Sequence, residues 1–202
     1  GRGNGTSAFS STCRILLGAG GYSASNFLLN KVQQLGARGP VTISLGGATI
    51  LTVSNSSFGE EIDFIAPQVN FVRDTFNNVV RITKNGTGNN AWTGGNVFND
   101  SAIITNESSS YLYLAATIQD EYNGNAKFVR TGGGLLDPTY NTAVTFKNTL
   151  ETAGTGVITF GTFGANGYVV MAGDSLQTIV GAPALTPAIR RLTIDKNPAY
   201  PV

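Results

Sequence analysis

The sequence has no histidine and a lone cysteine in 202 residues. Without histidine, Ser-His-Asp and Cys-His nucleophile arrangements are excluded, and so are most zinc sites. Cys13 cannot form a disulfide within the chain, so the fold must rest on packing and ladder hydrogen bonds. Cys13 itself reads as a small buried or partly buried residue rather than a reactive thiol. Charge is also scarce: 12% of residues are charged, about half the roughly 25% of a typical soluble domain. The 13 basic and 12 acidic side chains nearly cancel, so no field exists to recruit nucleic acid or anionic lipid. No stretch approaches the ~20 apolar residues of a membrane span, and Gly1-Arg2-Gly3-Asn4 is followed by no signal-like apolar run. Membrane insertion by this segment is not expected.

What is abundant is glycine, with 26 residues against the roughly 7% usual in proteins, together with Thr, Asn and β-branched residues. This composition describes an all-β chain with frequent turns. One stretch, FNNVVRITK (Phe76 to Lys84), recurs in degenerate form as FNDSAIITN (Phe98 to Asn106), YNGNAKFVR (Tyr122 to Arg130) and YNTAVTFKN (Tyr140 to Asn148). The aromatics are spaced by 22, 24 and 18 residues. Self-similarity at a period of roughly 20 residues marks a solenoid, whose units cannot bury their apolar faces alone.

Within each copy the period is two, so the unit is a strand. Val80 and Ile82, Ala102 and Ile104, Ala126 and Phe128, Val144 and Phe146 are expected inside as the repeat core. Phe76-Asn77, Phe98-Asn99, Tyr122-Asn123 and Tyr140-Asn141 are expected at corners, because Asn satisfies local backbone groups and tolerates left-handed conformations. IDFIA (Ile62 to Ala66) before Asp74 parallels YLYLA (Tyr111 to Ala115) before Asp120, which gives a larger unit of strand, loop, Asp-x-aromatic-Asn corner and strand. Stacked in register, such units form a parallel β-helix (β-solenoid). A β-sandwich is the alternative.

Strand signals begin at Pro40 with VTISL and continue to IRRLTI, so residues 41–202 are read as solenoid; at one copy per roughly 22 residues the whole chain would make about nine turns. Residues 1–40 are read as a Gly/Ser-rich N-terminal segment. Within it, Ser23 to Gly36 could form a short helix capping the solenoid, with Phe27, Leu28, Val32 and Leu35 on one face, or an extended segment. The strand-like run Ile189 to Asp195, close before Tyr200-Pro201-Val202, suggests a piece of a longer repeat protein.

Candidate chemistry is sparse. Parallel β-helices host polysaccharide lyases and glycosidases, so paired carboxylates are the enzyme test. Glu60-Glu61 and Asp120-Glu121 diverge on a strand, and Asp63 and Asp74 would need the fold to unite them. Capping or solvated roles are the better reading of these acids, and no catalytic residue is assigned. Asp74 with Asn77 and Asp120 with Asn123 could bind calcium, but each corner offers a lone carboxylate and a hydrogen-bonded turn is preferred, so no metal or other cofactor is expected. Gly132-Gly133-Gly134 lacks the Lys-Ser/Thr of a phosphate loop. Five glycosylation-like triplets begin at Asn4, Asn55, Asn85, Asn99 and Asn106; several such matches arise by chance in so Asn- and Thr-rich a chain, and a bacterial source would make them silent. Trp92, between Asn89-Asn90 and Gly94-Gly95, could stack on a sugar ring or cover a turn.

The FN-x-x-A-x-I-x-N pattern, the YLYLA element and the run IRRLTIDKNPAYPV resemble repeats of giant Bacteroidetes cell-surface proteins, the gliding-associated adhesins exported by type IX secretion. The resemblance covers about Ile62 to Val202. It implies an extracellular, filament-forming or adhesive segment without catalysis and transfers no active-site residue. Its expected partners are neighbouring repeats or filament subunits and surface glycans. A phage tailspike-like protein that binds or degrades polysaccharide is the alternative.

Overall fold

Strands that neighbour in space are separated by one circuit of the chain, and every strand pairing among the described residues is parallel. The computed structural model describes residues 14–17, 26–34, 39–47, 49–90, 94–161, 166–174, 176–181 and 187–196. These form an all-β parallel solenoid, with no helix among them. Two packed antiparallel sheets, the sandwich alternative, are excluded by the pairing.

Each circuit has three faces. Face A is an eight-stranded sheet that includes Val41–Leu45, Ile62–Ala66, Val80–Lys84, Ala102–Asn106, Ala126–Arg130 and Leu150–Gly154. Face C is also eight-stranded and includes Ser57–Phe58, Thr75–Phe76, Val97–Phe98, Glu121–Tyr122, Ala143–Phe146, Tyr168–Gly173 and Leu192–Lys196. Face B is broken into a three-stranded sheet (Asn26–Asn30, Ile50–Ser54, Gln68–Val72) and two short pairs, Leu112–Tyr113 with Leu136–Asp137 and Thr159–Phe160 with Ala188–Ile189.

The alternation seen in the sequence sets the core. On face A, Val80 pairs with Ala102, which pairs with Ala126, and Ile82 pairs with Ile104, which pairs with Phe128. All six are buried. Side chains in parallel, in-register strands stack on their own kind, which gives continuous apolar ladders between turns. On face C the ladder is aromatic: Phe58, Phe76, Phe98, Tyr122 and Phe146 stack with centroid spacings of 5.3, 5.1, 4.5 and 5.0 Å. Phe64 and Phe128 meet this ladder edge-on from face A. Buried rings in stacked and edge-to-face contact add roughly 0.5–1.5 kcal/mol per pair beyond their area.

Three expectations need correction. The fourth copy is out of register with the first three. Phe146, not Tyr140, continues the aromatic ladder, and Leu150, not Val144, continues the column of Ala126. Val144 and Phe146 are buried, but on face C, while Tyr140 and Asn141 lie at the turn between faces B and C. The circuit from Tyr122 closes after 24 residues, at Phe146, so the Tyr140 copy stands six residues ahead of the ladder.

Helix within Ser23 to Gly36 is replaced by strand: Asn26–Asn30 and Gln33–Gln34 pair with Ile50–Ser54 and Ser57–Phe58. Leu29 points inward while Leu28 is 62% exposed, an alternation no helical face would give. Asn is an indifferent helix former, and the neighbouring strands supply ladder partners for the segment. The solenoid also starts earlier than residue 41, because Arg14–Leu17 pairs with Thr42 to Leu45. Cys13 and Trp92 lie outside the described residues.

Candidate functional site

Three columns of polar side chains run along the solenoid. The first is the predicted aromatic-Asn corner. Asn77, Asn99 and Asn123 follow the ladder aromatics, and their N–H groups donate to Phe58, Phe76 and Phe98 carbonyls in the preceding turn. Their side chains do more than cap locally. Asn99 Nδ2 donates to Asn77 Oδ1 at 2.8 Å and Asn123 Nδ2 to Asn99 Oδ1 at 2.7 Å, a chain of amides from turn to turn. Asn141 has no place in it, and its Nδ2 reaches the Ala116 carbonyl instead.

The second column is interior. Val32 N–H donates to Ser56 Oγ at 3.1 Å, Ser56 N–H to Asp74 Oδ1 at 2.8 Å, Asp74 N–H to Asn96 Oδ1 at 3.1 Å and Asn96 N–H to Asp120 Oδ1 at 2.8 Å. Each backbone donor is thus accepted by the side chain one turn on. Asp74 and Asp120 are buried, and burial, which disfavours the charged form, outweighs these N–H bonds and pushes both carboxyls up to about 7. Asp120 also raises Asp74 by like-charge repulsion.

The third column closes the corner after face A. The buried Lys84 donates from Nζ to the Gly86 carbonyl, Ser108 Oγ and Ser110 Oγ, each at 2.6 Å. Three acceptors match its three protons, and burial lowers its ammonium to about 8. In the next turns Asn106 Nδ2 holds the Ser110 and Leu135 carbonyls at 2.9 Å, and Arg130 donates to Gly133 and Val157 carbonyls. Lys84, Asn106 and Arg130 share register. Sequence reasoning missed this column, although the period of two that places Val80 and Ile82 inside also places Lys84 there.

The acids do not assemble into a catalytic pair. Asp63 faces outward, with Arg81 Nη1 at 3.2 Å; Glu61 shares the same guanidinium. Asp74 is inside, so the two do not meet. Glu121 faces outward to Lys147 while Asp120 faces the core. Glu151 pairs with Lys127 at 2.7 Å. These half-exposed pairs contribute about 0–1 kcal/mol each. Asp74 and Asn77, and likewise Asp120 and Asn123, point to opposite sides of the chain, so neither corner forms a calcium cage. No group of three or more Cys, Asp or Glu gathers among the described residues.

The described residues also form a concave surface. An open groove of about 410 Å³ runs over the corner between faces A and B, lined by Thr87 and Asn89 from one turn, Ser109, Ser110 and Tyr111 from the next, and Gly133, Gly134 and Leu135 from the third. Tyr111 is the end ring of a three-tyrosine stack, 4.2 Å from Tyr113, which is 4.3 Å from Tyr140.

Fold and site together define a parallel β-solenoid whose recurrent residues tie each turn to the next. Comparison of the chain with protein-family models, curated proteins and solved structures finds no match.

Proposed function

We propose that this chain is a non-catalytic structural and adhesive segment of a long extracellular β-solenoid filament, of the kind found in giant bacterial surface adhesins. One observation carries the reading: in the three copies that share register, the recurrent residues of the repeat are spent on stacking. The aromatics stack on aromatics, the corner asparagines bond to one another, and the alternate apolar residues fill the core. Of the acids weighed as catalytic pairs, Asp74 and Asp120 are buried acceptors, and Asp63 and Glu121 sit in surface ion pairs. The outer surface is left neutral and rich in amides and hydroxyls, which suits many weak contacts to glycans or neighbouring filaments. Repetition multiplies such contacts, and avidity can exceed single-site affinity by roughly 10² to 10⁴.

The reading is tested with antibodies to this segment applied to intact and permeabilised source cells. Labelling of intact cells, with loss of surface filaments on deletion of the segment, is expected. Labelling confined to permeabilised cells would refute it. The tailspike-like alternative predicts new reducing ends or unsaturated products when the protein is incubated with a polysaccharide panel, abolished by Asp63→Asn or Asp120→Asn.

A further inference from the structure

We propose that the groove over the corner between faces A and B is a binding subsite for a neutral saccharide, with Tyr111 as its stacking platform. The inference deepens the adhesive half of the function proposed above and rests on it. Its first support is shape. The groove crosses three turns, a span of roughly 10 Å at about 4.8 Å per turn, which suits a short run of sugar rings. Its volume falls within the roughly 300–1,000 Å³ of small-ligand sites.

The second support is the lining chemistry. Among the described residues no charged side chain lines the groove, and the nearby Arg130 guanidinium is bonded to the Gly133 and Val157 carbonyls, so the lining itself offers a uronate or sialic acid no ion pair. The Thr87 and Ser109 hydroxyls and the Asn89 amide are exposed, and among the described residues none is engaged in a hydrogen bond. Hydroxyls and amides of this kind both donate and accept, as sugar hydroxyls require. Tyr111 brings an apolar ring with a polar tip. Its stack on Tyr113 and Tyr140 holds that ring before a ligand arrives, which lowers the ordering cost of binding.

The third support comes from the glycines. At Gly132 an added Cβ would lie 2.1 Å from the Ser108 carbonyl oxygen, and at Gly134 1.8 Å from that of Ser110, so packing explains both. Gly133 lies between them, lines the groove, has no positive φ and would meet nothing within 4 Å of a Cβ. Neither conformation nor packing demands glycine there. Its missing side chain instead keeps the groove open to solvent.

The experiment uses the full chain and saturation-transfer NMR with neutral oligosaccharides of glucose, galactose, mannose and N-acetylglucosamine, alongside charged polygalacturonate. Saturation transfer to at least one neutral sugar is expected, with Kd weakened roughly tenfold or more by Tyr111→Ala and by Gly133→Phe. Gly133→Phe projects into open space and should keep the wild-type melting temperature; if it does not, Tyr111→Ala decides. Absence of transfer to every neutral sugar overturns the subsite, as does preference for polygalacturonate or binding untouched by Tyr111→Ala. Such a result leaves the filament reading standing, because surface labelling and loss of filaments are measured separately.

Discussion

Raising the pH from about 5 to about 8 should destabilise this protein, and the interior polar column supplies the reason. Asp74 accepts Ser56 N–H on Oδ1 and Val72 N–H on Oδ2, and Asp120 accepts both the N–H and the side-chain amide of Asn96. Burial still dominates, and both carboxyls titrate at about 7 instead of 3.8. Because the folded value lies above the unfolded one, the native state binds more protons between those limits. Its stability is therefore greatest below about pH 4 and falls as pH rises through about 7. A three-unit shift corresponds to about 4 kcal/mol for one group. The two are coupled through repulsion, so the expected combined loss between pH 5 and pH 8 is roughly 3–6 kcal/mol.

Urea unfolding read by tyrosine fluorescence and circular dichroism checks this. The midpoint should drop by about 1–2 M from pH 5 to pH 8. The Asp74→Asn/Asp120→Asn double variant cannot ionise at either position and should show a much flatter profile. Lys84 acts in the opposite sense at higher pH. Its ammonium is lowered to about 8 from 10.5, so the native state binds fewer protons than the unfolded state in that window. Stability should recover as pH rises from about 8 to about 10, placing the minimum near pH 7 to 8. A wild-type midpoint that stays level or rises from pH 5 to pH 8 would falsify the argument, because it would mean that the N–H donors outweigh burial.

Other perturbations probe the ladders. Phe98→Ala removes a ring stacked between Phe76 and Tyr122; it should cost about 3–5 kcal/mol in chemical denaturation, and Phe98→Leu clearly less. Ile104→Asp places a carboxylate in the apolar column between Ile82 and Phe128. It should cost several kcal/mol and abolish the cooperative melt at neutral pH, and retention of the wild-type melting temperature would contradict the inward assignment. Gly134→Ala meets the Ser110 carbonyl oxygen while Gly133→Ala meets nothing. Thermal melts should thus show a large loss for the former and almost none for the latter, and equal effects would refute the corner geometry.

Much of this architecture was legible in the residues. Period-two alternation placed Val80, Ile82, Ala102, Ile104, Ala126 and Phe128 inside, and the recurring aromatic-Asn pair found the corner between faces C and A for three turns. The fourth turn misled because it carries two aromatics six residues apart, Tyr140 and Phe146. Local pattern alone cannot choose which one joins the ladder, whereas the turn already in place can, through its hydrogen bonds. The N-terminal strands were hidden for a related reason: Phe27, Leu28 and Val32 fit a helical face when the neighbouring strand is unknown. The interior polar column was missed because Asp74 and Asp120 read, from sequence, as caps of their own corners or as solvated, not as acceptors for the neighbouring turn. Parity alone would have found them, since Asp74, Asn96 and Asp120 each stand two residues before a ladder aromatic.

Those interior polar residues also answer a question that apolar ladders leave open. A ladder of Val, Ile and Phe favours stacking but discriminates weakly between registers, because one apolar side chain stacks on another almost as well. Circuits of unequal length, such as the 18, 22 and 24 residues separating Phe58, Phe76, Phe98 and Tyr122, make slippage a real alternative. A buried acceptor is less forgiving. Sliding the turn that holds Asn96 past its neighbours would leave Asp74 N–H without its acceptor and Asp120 Oδ1 without its donors, at about 1–3 kcal/mol for each buried group left unpaired. Sliding the turn that holds Lys84 would strip an ammonium of acceptors supplied by Ser108 and Ser110 one turn on. The apolar ladders thus provide most of the stabilisation, and the polar columns select the register in which it is obtained.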